Sequence, residues 1–205
     1  MIGAIFYGFI TGVLLCFTFG TVFFSLVQNS VDNGFRSGVK IAFGVLVCDA
    51  IFVFFAIFGT TLLPSIEGFE KAMAGIGILF LLILGIANLI KGQPKIVYPK
   101  TRFGNFLYYF STGFLLNGLN PVNFISWVTI ATYIRSNLNY TMSQVIVFFV
   151  VSLVAVFLTE SLIAGFAHKL KRLFTPRTVT VFNKVTGVVF VFIAFQILYI
   201  NFLKG

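Results

Sequence analysis

The chain has 205 residues, of which 59% are apolar and 9% charged, and its mean hydropathy is +1.06. Apolar stretches take up nearly all of it, which leaves nothing from which to build a soluble catalytic domain and argues against an enzyme. The net charge of +9 raises nucleic acid as a partner, but the basic residues are distributed as a membrane topology requires, and no nucleic acid is expected.

A helix needs about 20 apolar residues to cross a hydrocarbon core. Stretches of that kind run approximately from 4 to 28, 40 to 63, 71 to 90, 105 to 134, 142 to 167 and 184 to 203. The predicted fold is an all-α integral membrane protein with six transmembrane helices, in contact with the lipid bilayer. Arg36 and Lys40 lie in the first loop, Lys91, Lys95, Lys100 and Arg102 in the third, and Lys169, Lys171, Arg172, Arg177 and Lys184 in the fifth. The other faces hold only Lys71, Arg135 and Lys204. By the positive-inside rule the odd loops are cytoplasmic and both termini external. Tyr7, Tyr98, Tyr108, Tyr109, Tyr133, Tyr140 and Tyr199, with Trp127, fall near span ends, as residues at the headgroup level do.

The first span has no basic n-region and is too long for a signal-peptide core, so it is expected to be retained. It carries a candidate break at Thr18–Phe19–Gly20–Thr21 and exits through a polar turn from Gln28 to Gly34. Span two contains Asp49, nine residues after Lys40, a helical rise of about 13–14 Å that puts it near the midplane. Span three has Gly75, Gly77 and Gly85, which suit close helix packing.

Span four is interrupted by Asn117, Gly118, Asn120 and Pro121. A proline there cannot donate and displaces the bond to the carbonyl of Asn117, which leaves polar backbone within an apolar span. Span five brings Glu160, nine residues before Lys169, at a depth like that of Asp49. His168, beside Lys169, reads as an interfacial residue.

Shifted by 101 residues, Thr11–Val27 (TGVLLCFTFGTVFFSLV) lies over Thr112–Val128 (TGFLLNGLNPVNFISWV), with seven identities: Thr11, Gly12, Leu14, Leu15, Phe23, Ser25 and Val27. The chain reads as two three-span repeats, 1–91 and 105–205, joined by a basic linker at 92–104. An odd number of spans per repeat makes the second enter from the opposite side, an inverted repeat. Transporters built so bind their substrate at the repeat interface near the midplane, where interrupted helices free polar backbone. An acid within a span costs at least ~2.5–3.5 kcal/mol on insertion scales and is a functional candidate by default. Asp49 is the first candidate for a proton or ammonium partner and Glu160 the second. The plainer alternative for each is a structural hydrogen bond to a neighbouring helix.

These motifs resemble the LysE family of amino-acid exporters, the wider group that includes threonine and homoserine efflux proteins. Gly113, Phe114, Asn117, Asn120 and Pro121 follow that family's G-F-x-x-N-x-x-N-P signature. Thr18 and Gly20 keep two positions of its T-P-G-P motif, with Phe19 and Thr21 in place of the prolines. Gly34, Gly38, Gly44, Asp49 and Gly59 follow its glycine-rich stretch and span-two acid. The resemblance implies proton-driven export of amino acids or similar small metabolites across the bacterial cytoplasmic (inner) membrane. Thr18, Gly20, Asn117, Asn120 and Pro121 would bind the substrate, and Asp49 and Glu160 would couple protons. No cofactor or resident metal is implied. Two repeats complete a transport unit in one chain, which is compatible with a monomer or a homo-oligomer.

Two other classes fit fewer of these residues. A divalent-cation exporter would use Asp49 and Glu160 as oxygen ligands. A thiol-redox carrier would need paired cysteines, but Cys16 matches Asn117 in the other repeat and Cys48 has no obvious counterpart.

Overall fold

The computed structural model describes residues 1–17, 20–59, 69–90, 103–138 and 140–203, and among them every regular element is helical. In chain order these are α1 (Ile2–Leu15), α2 (Thr21–Asn33), α3 (Phe35–Phe54), α4 (Phe69–Ile90), α5 (Phe106–Gly118), α6 (Pro121–Asn137), α7 (Met142–Gly165), α8 (Ala167–Leu173) and α9 (Pro176–Leu198). Short π turns, Phe55–Gly59 and Tyr199–Leu203, extend α3 and α9.

Local chemistry sets the boundaries. Asn105 caps α5 by accepting from the Tyr108 N–H at 3.0 Å. Thr141 and Gln144 form a reciprocal capping box at α7. Thr175 caps α9, with Pro176 in the first turn, where its missing N–H is not needed. Gly34 alone separates α2 from α3, at φ +84°, a left-handed conformation that favours glycine.

Among the described residues three helices are long and apolar enough to cross a membrane: α3 with part of its extension (Phe35–Phe58), α7 and α9. The first and fourth expected spans are each divided into two shorter helices. They measure 14 and 13 residues in the first case and 13 and 17 in the second.

Residues 28–33 are helical and belong to α2, and Arg36, Gly38 and Lys40 lie within α3, so the first loop shrinks to Gly34. Trp127 does not present its ring at the surface, as a residue anchored among headgroups would: it is 0% exposed and packs near Phe149, with ring centroids 6.0 Å apart.

The chain forms two compact units, Met1–Thr60 with Val97–Leu173, and Thr61–Ile96 with Phe174–Gly205. Each draws on both sequence halves. In the first unit α1 packs against α7, and α3 against α5. The contacts need glycine: a methyl group on Gly12 would strike the Ser152 carbonyl, and one on Gly113 the Ile41 carbonyl. Ser152 Oγ also donates to the Gly8 carbonyl at 3.0 Å, tying α7 to α1.

In the second unit α4 packs against α9. There a methyl group on Gly85 would meet the Gly187 carbonyl at 3.0 Å, so Gly85 serves close packing, while Gly75 has open space around it.

Candidate functional site

Both interruptions lie in the first unit and border one cavity. At the first, α1 winds down through tight turns, with the Cys16 N–H donating to the Val13 carbonyl at 3.2 Å and the Phe17 N–H to that of Leu14 at 3.1 Å. The chain resumes as α2 from Gly20, which is extended (φ −128°, ψ −168°) and has no side chain with which to cap the new helix. Thr18 lies outside the described residues.

At the second, α5 ends at Gly118 and Asn120 turns extended (φ −92°, ψ 100°). Its Oδ1 caps α6 by accepting from the Val122 N–H at 3.2 Å, and Pro121 fills the first helical position. The Asn117 carbonyl does not stay free as the proline alone suggests. It accepts from the Asn120 N–H at 3.1 Å, so the turn itself recaptures the group that the proline displaced.

The cavity is narrow, with a volume of about 40 Å³, room for a few water molecules. Cys16 and Gly20 line it from the first break, Asn120 and Asn123 from the second, Asp49 from α3 and Glu160 from α7. None of the described residues lining it is basic.

The two acids, both buried, have different surroundings. Asp49 is 3% exposed, and its Oδ1 accepts from Asn123 Nδ2 at 2.6 Å, Asn117 Nδ2 at 2.8 Å and Trp127 Nε1 at 3.0 Å. Asn123 Nδ2 also donates to Asn117 Oδ1 at 2.9 Å, closing a triangle of Asp49, Asn117 and Asn123. Glu160 is 8% exposed, and its buried Oε2 has no hydrogen-bond partner.

Of the residues expected to contact substrate, Gly20, Asn117 and Asn120 border the cavity together with Asp49 and Glu160. Pro121 starts α6 beside it. Asn123 and Trp127 were missed. Their i, i+4 spacing places both on one face of α6, but their shared partner on α3 cannot be seen without the fold.

Also missed was the buried polar side of α2, where Ser25, Gln28, Asn29 and Ser30 are all enclosed. Asn29 Nδ2 donates to the Ser25 carbonyl at 2.8 Å, Gln28 Nε2 to Asp32 Oδ2 at 2.6 Å, and Ser37 Oγ to the Asn29 carbonyl at 2.8 Å. Cys16 and Cys48 are both free thiols, and Cys16 Sγ donates to the Gly12 carbonyl at 3.3 Å.

Comparison with curated proteins and with solved structures gave no match. The sequence profile of the LysE type translocators matches residues 13–201, a span that takes in both breaks and both buried acids. That membership implies a membrane exporter of amino acids or related compounds. With most of its length matched, and with helices apolar enough to cross a bilayer, this multi-pass membrane protein belongs to the LysE type translocator family.

Proposed function

We propose that the protein is a secondary transporter that exports an amino acid or a similar small metabolite from the cytoplasm by proton-coupled alternating access. The observation that carries this reading is the meeting of two interrupted helices at one cavity that also holds two buried carboxylates. Helix N-termini favour anions and carboxylates favour cations. The N-termini of α2 and α6 border the cavity together with Asp49 and Glu160, a charge arrangement suited to a zwitterion.

Several features support six spans in two inverted repeats. Each pair α1–α2 and α5–α6 is one span divided by a break, and the breaks fall at matching places in the 101-residue repeat. The helix pairing is reciprocal: the first span of each half packs on the second span of the other. Gly12 faces Ser152 as Gly113 faces Ile41, and Ser152 and Ile41 are 111 residues apart, the same separation as Glu160 and Asp49. The two acids therefore occupy equivalent places. On this reading the odd loops face the cytoplasm, the termini lie outside, and the membrane is the inner membrane of a bacterium.

Within the site, Gly20 and Asn120 stand where cargo would touch the broken helices, while Asn117 serves by holding Asp49. Asp49 and Glu160 are the two candidate proton carriers. The divalent-cation reading is weaker, because Asp49 Oδ1 already accepts three N–H donors.

The test is counterflow with purified protein in liposomes loaded with unlabelled amino acids of small, basic and apolar side chain. Export of amino acids predicts transient accumulation of the labelled form of at least one of them. No exchange with any, in vesicles holding folded protein, would remove the amino-acid reading.

A further inference from the structure

The two acids are equivalent by position and opposite in what surrounds them. Three donors from α5 and α6 converge on one oxygen of Asp49. A carboxylate held in this way is already compensated, and taking it for a ligand would strand the Asn117, Asn123 and Trp127 donors in a buried site. Glu160 Oε2 is buried, lacks any partner and lies on the wall of the cavity. An uncompensated buried acceptor of this kind is costly unless a proton or a cation occupies it for part of the time.

We infer that Glu160 is the residue at which the coupling proton and the protonated amine of the cargo exclude one another, whereas Asp49 is a positioning residue that fixes the second break. This inference rests on the exporter reading and divides between the two acids a role that the repeat alone assigns to both. Facing the cytoplasm, the Glu160 carboxylic acid gives its proton to water and the carboxylate takes the cargo ammonium. Facing outward, a proton from the outside returns to the carboxylate and the ammonium leaves. One proton enters for each ammonium released, and no bond other than that O–H forms or breaks.

The surroundings of Glu160 fit this exchange. Among titratable groups, Asp49 on α3 and Cys16 after α1 share the cavity wall with it. Asp32 on α2 is engaged by Gln28, and the basic residues of α8, with His168, begin eight residues beyond Glu160. No described basic side chain lines the cavity to neutralise Glu160 in place of cargo.

The experiment is labelling of the whole wild-type protein in liposomes with an apolar carbodiimide, which modifies accessible carboxylic acids, with the adducts on Glu160 and Asp49 quantified by peptide mass spectrometry. Amino acids of small, basic and apolar side chain serve as competitors, each beside its N-acetyl derivative, which keeps the carboxylate and lacks the ammonium. The expected result is faster modification at Glu160 than at Asp49. A bound competitor at ten times its Kd should slow it about tenfold, while the matching N-acetyl derivative has no such effect. Preferential modification of Asp49, or failure of every amino acid to protect Glu160, would overturn the inference. Counterflow with an unprotected Glu160 leaves the exporter reading standing while this inference falls. Protection of Glu160 without counterflow overturns the exporter reading and with it the coupling role, leaving Glu160 as an amine-binding site alone.

Discussion

Asn117 on α5 donates to Asp49 Oδ1 on α3 at 2.8 Å, across 68 residues of sequence, and with Asn123 it holds the end of one half-helix and the start of the next against the same carboxylate. A discontinuous helix in a membrane must satisfy its freed polar groups within the protein. Here one acid organises the break.

Asn117→Leu should therefore cost more than its own contact. It removes the donor to Asp49 and the acceptor for Asn123 together, a loss of about 1–3 kcal/mol. Thermal unfolding in detergent should show a lower midpoint than wild type, and Asn117→Asp, which keeps the acceptor, should leave two carboxylates facing one another and be no better. An unchanged midpoint in both variants would mean that the triangle contributes nothing to the break.

Close helix contact gives a second expectation. Gly113→Ala places a methyl group against the Ile41 carbonyl, and Gly12→Ala one against that of Ser152, whereas Gly75 has open space. Overpacking of this kind costs about 1–3 kcal/mol, so the first two variants should be poorly folded and Gly75→Ala close to wild type in size-exclusion profile and thermal midpoint. Equal behaviour of all three would remove the packing argument.

Much of this was legible before any coordinates. Among the described residues hydropathy marked the three long apolar helices, α3, α7 and α9, because a helix that crosses a bilayer must present about 20 apolar residues to lipid, and an acid within such a run stands out at once. Pro121 marked the second break through its missing donor. The course of α2 was not legible, since a run such as Gln28 to Asn33 has the composition of a turn, and only packing against α3, α7 and α8 explains why it stays helical with Gln28, Asn29 and Ser30 buried. Trp127 misled for a related reason: an indole N–H needs a partner, which headgroups supply at an interface, and in this fold Asp49 supplies it from 78 residues away.

Orientation is open to a direct check. In a Cys16→Ser, Cys48→Ser background, a single cysteine at Arg36 should react with a membrane-impermeant maleimide only after the cytoplasmic side is opened. One at Tyr140 should react in intact cells. The reverse pattern would invert the topology drawn from the basic loops.

The most direct measurement of the central claim is accumulation of a labelled amino acid by protein in liposomes under an imposed pH gradient, using one that gives counterflow. Coupling to protons predicts uptake well above the equilibrium level when the gradient opposes the cargo, collapse of that excess on adding a protonophore, and its absence in Glu160→Gln with counterflow measured alongside. Uptake that only reaches equilibrium, with the same rate and extent whether or not the gradient is present, would contradict the account.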